Sequence, residues 1–504
     1  MPPTLFIYII ILIQSMKIFR FSLCSQPALF SIATFLICLL FAPKTYASTY
    51  TWVGTGGNNN WSNVNNWEPA RVTANDDVLI FDGSRTAAAT VYVDFASPQI
   101  ISQLRFINNI VVVLTVQPNA DAAAAPPARQ LTMATALLGA NLDIAAGSSV
   151  QIKSPDGVKS TAGLGFYLGT EGTATIAGTL IFGSSSTASL TNDPHQLISL
   201  KKGFNTIQFV AGSTFRADKT FTGSPFNDKS ESSGTVVFRS GSLYDHRGGG
   251  APFGTSLPTA PVAILEKGNR YIYSVTSTAA GPQLPGRTYG YIEYNRPTTS
   301  TAIVGGSAAV SPTGLPLVIL DDLVITTGNV RLNLANVTLQ GNLILNGGSL
   351  ANTTGASTVT FKGNTSQLIT SAAATPVPVL FGSFITVVVD NGAGVTLQTP
   401  VQIAKALTLT NGVVNTTAGT LTLLAGAVTV ANEKSFVAGP LTRAVAASGT
   451  TSLAFPLGHG TAFRPLTLAM DHSDGTEVRY TAKLIKGKPT VRLFSGEINK
   501  VSAV

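Results

Sequence analysis

Charge is what this sequence has least of. Only 11% of its 504 residues are charged, against about 25% in an ordinary soluble domain. A soluble helical protein keeps a charged face on each helix, so a helical bundle is excluded. Cysteine is nearly absent: there are 2, Cys24 and Cys38, both within the first 47 residues. The remaining chain therefore uses no disulfides and must be held by burial and backbone pairing. The 4 histidines, His195, His246, His459 and His472, have no His or Cys partner at metal-site spacing. Between Glu293 and Glu433 the acidic residues are Asp321, Asp322 and Asp390 alone, which excludes a catalytic carboxylate cluster there. No Walker or dinucleotide pattern follows a strand, and no GxSxG elbow occurs. The formal charge of +8 is spread thinly, its longest basic cluster being "LKKG" (Leu200–Gly203). Nucleic-acid binding would want clustered Lys and Arg with interleaved aromatics, so a bland basic surface is expected and no nucleic-acid partner.

Residues 1–47 read as a signal peptide. "ALFSIATFLICLLFA" (Ala28–Ala42) is an apolar run preceded by Lys17 and Arg20, and "KTYA" places Thr45 and Ala47 at the cleavage positions. The run is short for a bilayer span, so the mature chain is expected to be secreted or held at the cell surface without a membrane span. An earlier apolar stretch, Leu5–Ile13, makes Met16 an alternative start. "FLIC" lacks the small residues expected before a lipidated cysteine.

Small polar and β-branched residues fill the space left by charge, and these suit strands and tight turns. One unit recurs: an apolar residue, two small ones, Gly, often Ser, then another apolar residue. It stands as "IAAGSSV" (Ile144–Val150), "FVAGSTF" (Phe209–Phe215), "FRSGSL" (Phe238–Leu243), "LNGGSL" (Leu345–Leu350), "LTNGVV" (Leu409–Val414) and "LLAGAV" (Leu423–Val428). The reading is strand, corner at Gly, strand. "NLILNGGSLANTTG" (Asn342–Gly355) also matches "ALTLTNGVVNTTAG" (Ala406–Gly419) without a gap, an offset fitting about three solenoid coils. A coil of this size cannot bury its apolar face alone, so coils must stack. A string of sandwiches would repeat at domain length. The short period, the Thr/Asn/Val runs and a scarcity of aromatic core residues point instead to a parallel β-helix.

The expected fold is all-β: a right-handed parallel β-helix over residues 91–440, a Trp-rich N-terminal cap over 48–90, and a small β-sandwich over 441–504. "NADAAAAPPARQ" (Asn119–Gln130) reads as a protruding loop because of its prolines. "INKVSAV" (Ile498–Val504) alternates with no turn after it, so the chain reads as stopping partway through a strand.

Several stretches resemble large secreted β-helix proteins of the autotransporter-passenger and type IX secretion cargo kind. They are "TWVGTGGNNNWSNVNNWEPARVTANDDVLIFDG" (Thr51–Gly83), "PGRTYGYIEYN" (Pro285–Asn295), "SFVAGPLTR" (Ser435–Arg443) and "FPLGHGTAFRPLTL" (Phe455–Leu468). The resemblance spans most of the mature chain and implies the architecture and an outer-membrane export route. It does not imply a reaction, and the sorting domain of type IX cargo is missing.

The candidate functional residues follow from these patterns. All three tryptophans, Trp52, Trp61 and Trp67, lie in one Gly/Asn-rich segment. The first coil of a β-helix exposes core and strand edges that need covering, so a structural cap is expected, with sugar stacking as the alternative. Asp76 and Asp77, with Asp82 nearby, are read as turn and cap residues, with a Ca²⁺ site or acid pair as the alternative. Tyr271, Tyr273, Tyr289 and Tyr291 alternate in "RYIYS" and "TYGYIEY". They are core filling if inward and candidate glycan contacts if outward. No cofactor and no catalytic residue is expected. The function so read is a structural or adhesin-like scaffold meeting an extracellular glycan or matrix surface. The alternative is a carbohydrate-binding or polysaccharide-degrading β-helix.

Overall fold

A computed structural model describes residues 47–485, apart from 96, 117–128, 135–138, 156–162, 187–192, 202, 227–233, 255–260, 276–285, 297–300, 304–315, 333–335, 352–354, 373–377, 447–448 and 473–475. The leader, apart from Ala47, and the terminal Ile498–Val504 lie outside the described residues. So does most of the proline-containing loop, although Arg129 and Gln130, read as its end, open the strand Arg129–Met133. Ser48–Val504 forms one compact unit.

That unit is a parallel β-helix with three faces. One sheet of 14 strands runs from Ala88–Val93 to Val437–Ala438, and neighbouring strands pair in parallel. A second face is made in succession by a nine-stranded sheet that includes Val78–Asp82 and a seven-stranded sheet ending at Val428–Val430. The third face is built from shorter sheets beginning at Gln99–Ile101 and reaching Leu441–Val445. Among the described residues the one helical element is the 3₁₀ turn Val64–Asn66.

Alternation explains why each strand sits where it does. Val78–Asp82, Ser149–Lys153 and Ile385–Asp390 bury every second residue, as a half-buried strand must. Parallel register then stacks like on like: Val112, Val150, Leu180, Phe215, Tyr244 and Tyr271 follow one another down the 14-stranded sheet. The expected scarcity of core aromatics is not found. Phe209 and Phe238 stack at 4.3 Å with planes 3° apart, and Phe215 and Tyr244 pack beside them. The 25 phenylalanines and 12 tyrosines of the sequence supply many of the largest fully buried side chains.

The glycine unit is a turn. Ser148, Ser213, Ser242 and Asn269 each donate an N–H to the carbonyl three residues back. The glycines between, Gly147, Gly212, Gly241 and Gly268, have φ from 79 to 84°, which the third position of a type II turn requires. These turns stack as well, with Gly212 N–H on Gly241 O at 2.9 Å and Gly241 N–H on Gly268 O at 2.8 Å.

The match between Asn342–Gly355 and Ala406–Gly419 has a different meaning from the one expected. Leu343 lies in the 14-stranded sheet, paired with Leu323 and Ile369. Leu407 lies in the seven-stranded sheet, paired with Val387 and Thr429. The two segments occupy different faces, and their corners differ in conformation: Gly412 has φ 86°, whereas Gly348 is outside the positive-φ region.

At the C-terminal end, where a small sandwich is expected, Leu441–Val445 is the last parallel strand of the third face. Val478–Ala482 closes it antiparallel, and Gly449–Phe455 pairs with Leu466–His472 as a hairpin.

Candidate functional site

The tryptophan segment touches the first strand of all three faces. Thr49–Trp52 runs parallel to Val78–Asp82 on the second face, and Trp52 sits opposite Trp67 in an antiparallel pair. Asn60 bridges Tyr92 at the start of the 14-stranded sheet, with Trp61 N–H on Tyr92 O at 2.9 Å. Trp61 Nε1 donates to Gln99 Oε1 on the third face at 2.9 Å. The three indoles are 1–3% exposed, packed edge-on at 5.1 and 5.3 Å around Phe81. No indole face is open for a sugar ring. The Gly/Asn richness has its own cause: buried Asn66 accepts from Gly56 N–H and donates to the carbonyls of Asn58 and Asn60.

Asp77 is fully buried and belongs to the same cap. Arg71 Nε donates to its Oδ2 at 2.7 Å, with Nη2 at the same distance, and Ala74 N–H binds that oxygen too. The Arg71 guanidinium also lies 5.7 Å over the Trp67 ring. Asp76 is half-buried. Asp82 accepts from Asn108 and Ser84, and those hydrogen bonds hold its carboxyl below the usual range. Among the described residues no group of three or more His, Cys, Asp or Glu side chains is placed to hold a metal.

The tyrosines divide. Tyr271, Tyr273 and Tyr289 have their rings in the core, at 0 to 1% exposure, and cannot reach a glycan. Burial pushes all three hydroxyls upward. The expected alternation through "TYGYIEY" is broken because Thr288–Tyr289 and Tyr291–Asn295 are separate strands on different faces. Tyr291 alone points outward, half-buried, with Arg270 5.0 Å over its ring and its hydroxyl donating to Glu293 at 3.0 Å. Its phenol is pushed up to about 12 by burial and the Glu293 charge.

The sequence gives the histidines no metal-site partner, and two of them, His195 and His246, are buried. His246 Nε2 meets the Gly249 carbonyl at 3.1 Å, which can only accept, so Nδ1 accepts from Tyr271 hydroxyl at 2.5 Å. Burial depresses this imidazole to about 4 from 6.5. Unfolding restores the ordinary value, so stability is complete above about pH 6.5 and falls as the pH drops toward 4. The loss across that window is about 3 kcal/mol. Urea midpoints measured against pH should show it, and His246→Gln should flatten that part of the profile. Parallel profiles for the two chains would contradict the assignment.

His195 and Asp193 form a second buried group. Asp193 accepts from Ser154 N–H at 2.6 Å and from the Thr220 hydroxyl. His195 Nδ1 accepts from Leu164 N–H at 3.1 Å, which leaves Nε2 as the proton-bearing nitrogen, 3.5 Å from Asp193 Oδ1. Burial raises the Asp193 carboxyl, but hydrogen bonds from His195, Thr220 and Ser154 outweigh it and hold the group below its usual range.

A cavity of about 490 Å³ lies at the C-terminal end, between Ala427–Thr429, Arg443 and Thr450–Ala454. Arg443 Nη1 and Nη2 donate to the carbonyls of Ala454 and Ala427 at 2.7 and 2.5 Å. Elsewhere on the surface, basic side chains pair across coils: Arg216 with Asp245, Arg239 with Glu266, Arg270 with Glu293, Lys362 with Asp390.

The geometry defines an all-β parallel solenoid closed by an aromatic cap. Comparison with known proteins finds no matching family model, no similar curated protein and no matching solved structure.

Proposed function

We propose that this chain is an extracellular or cell-surface scaffold protein of adhesin-like kind, without catalytic activity. One observation carries the reading: the side chains able to do chemistry are spent on holding coils together. His195, His246 and Asp77 are buried on internal partners, and Arg216, Arg239 and Arg270 are paired between strands. Among the exposed described residues Thr, Ser and Asn are frequent, a surface suited to a matrix or glycan partner.

A second reading is favoured by Tyr291 alone, whose outward ring and flanking Arg270 and Glu293 would suit a sugar. A glycan array and a polysaccharide-turnover assay on the whole chain separate the two. The scaffold reading expects no turnover, and any glycan signal to survive Tyr291→Ala. Turnover above a heat-denatured control would overturn it; binding abolished by Tyr291→Ala would move the function to the second reading.

A further inference from the structure

The sequence contains a single Asp–Pro dipeptide, Asp193–Pro194. This bond is intrinsically weak. The aspartate carboxylate can close a five-membered ring onto its own backbone carbonyl carbon, and the proline nitrogen, once protonated, departs as a secondary amine. We propose that the folded chain cuts itself at Asp193–Pro194, with neighbouring coils fixing the attacking carboxylate and completing an oxyanion hole.

Three coils meet at this point, following the paired strands Ser149–Lys153, Thr179–Phe182 and Thr214–Ala217. The preceding coil gives Ser154 N–H and the following one the Thr220 hydroxyl, and these pin the carboxylate. The carbonyl oxygen of Asp193 receives two further N–H groups, from His195 at 2.9 Å and Thr222 at 3.3 Å. Both are aimed where negative charge develops when the carbonyl is attacked. Asp193 and His195 are 0% exposed, so these dipoles act without competition from bulk water. The donors on the carboxylate blunt its nucleophilicity, while its fixed placement works the other way.

In the first step an Asp193 Oδ atom bonds to the Asp193 carbonyl carbon and the bond from that carbon to Pro194 nitrogen breaks. The nitrogen takes its proton from solvent acid, and a cyclic anhydride remains. In the second step water opens the anhydride, leaving Asp193 with a free α-carboxylate and Pro194 with a free amino group. One water is consumed and nothing is oxidised or reduced. The cut ends keep their neighbours: Asp193 bridges Phe221, and Gln196–Ser199 stays paired with Leu164–Leu168. The nicked chain therefore stays folded, and only denaturing conditions separate the pieces. This activity is a single turnover on the chain itself and stands apart from the scaffold reading.

The test holds the full chain in mildly acidic buffer, folded in one arm and in concentrated urea in the other. Fragments are followed by denaturing gel and intact mass. The expected result is a fragment beginning at Pro194 that forms about 100-fold faster in the folded arm, the size of effect an oxyanion donor supplies. Asp193→Asn should abolish it. Asp193→Glu, which keeps the charge but lengthens the ring to be closed, should slow it strongly. An intact folded chain overturns the proposal, as do equal rates in the two arms, which would be ordinary acid lability. Equal cutting of Asp193→Asn would assign the cut to a protease. Should Asp193→Asn fail to fold, the ratio of folded to urea rates in the natural chain decides alone.

Discussion

Trp61→Ala is expected to lower the unfolding free energy by about 3–5 kcal/mol, the usual range for emptying a buried tryptophan site. Its ring is 1% exposed and packs on Trp67, Phe81 and Phe95 at 5.3 to 6.0 Å. More is lost than area. The Nε1–H bond to Gln99, the cap's side-chain tie to the third face, goes with the ring. A solenoid is stabilised by nearest neighbours, so the damage should begin at the first coil and spread inward. Thermal melting followed by circular dichroism checks this. An unchanged midpoint together with lost glycan binding would return the tryptophans to a sugar-binding role.

Asp77→Ala should cost a similar amount, about 3–5 kcal/mol, because it strands the Arg71 guanidinium in the core. Both groups are shielded, at 3% and 0% exposure, so solvent does little to screen the loss. Arg71→Ala strands the carboxylate instead and should be equally harmful. Replacing both by apolar residues should recover most of the loss, since the pair's desolvation largely offsets its attraction. Denaturant titration of the two single variants and the double variant supplies the comparison. Single variants within about 0.5 kcal/mol of the natural chain would mean that Asp77 does not hold the cap.

The solenoid was legible because glycine corners leave a strong local signature. "IAAGSSV" and "FVAGSTF" join the same two faces and carry the same turn. Face assignment was not legible, since "LTNGVV" and "LNGGSL" look alike in sequence yet turn different corners of the coil, with Gly412 at φ 86° and Gly348 outside the positive-φ region. The tyrosines mislead for a related reason. Alternation predicts a shared face only within one strand, and Gly290 separates Tyr289 from Tyr291. The tryptophan cap could be inferred from position, whereas the Arg71–Asp77 pair could not, because nothing local marks two loop residues that meet inside. Asp193 and His195 were hidden likewise: their partners Ser154 and Thr220 come from neighbouring coils, at separations of 39 and 27 residues.

The account rests on a one-dimensional stack of coils sealed at its first turn by the tryptophan segment. Amide hydrogen exchange read by mass spectrometry tests that most directly, in the natural chain and in Trp61→Ala. Amides of Thr49–Trp52 and Trp67–Glu68 should be protected as well as those of Val111–Val116 in the natural chain. In Trp61→Ala, protection should fall at the cap and the first coils while Ile385–Asp390 keeps its own. Fast exchange throughout Thr49–Trp67 in the natural chain would contradict the account.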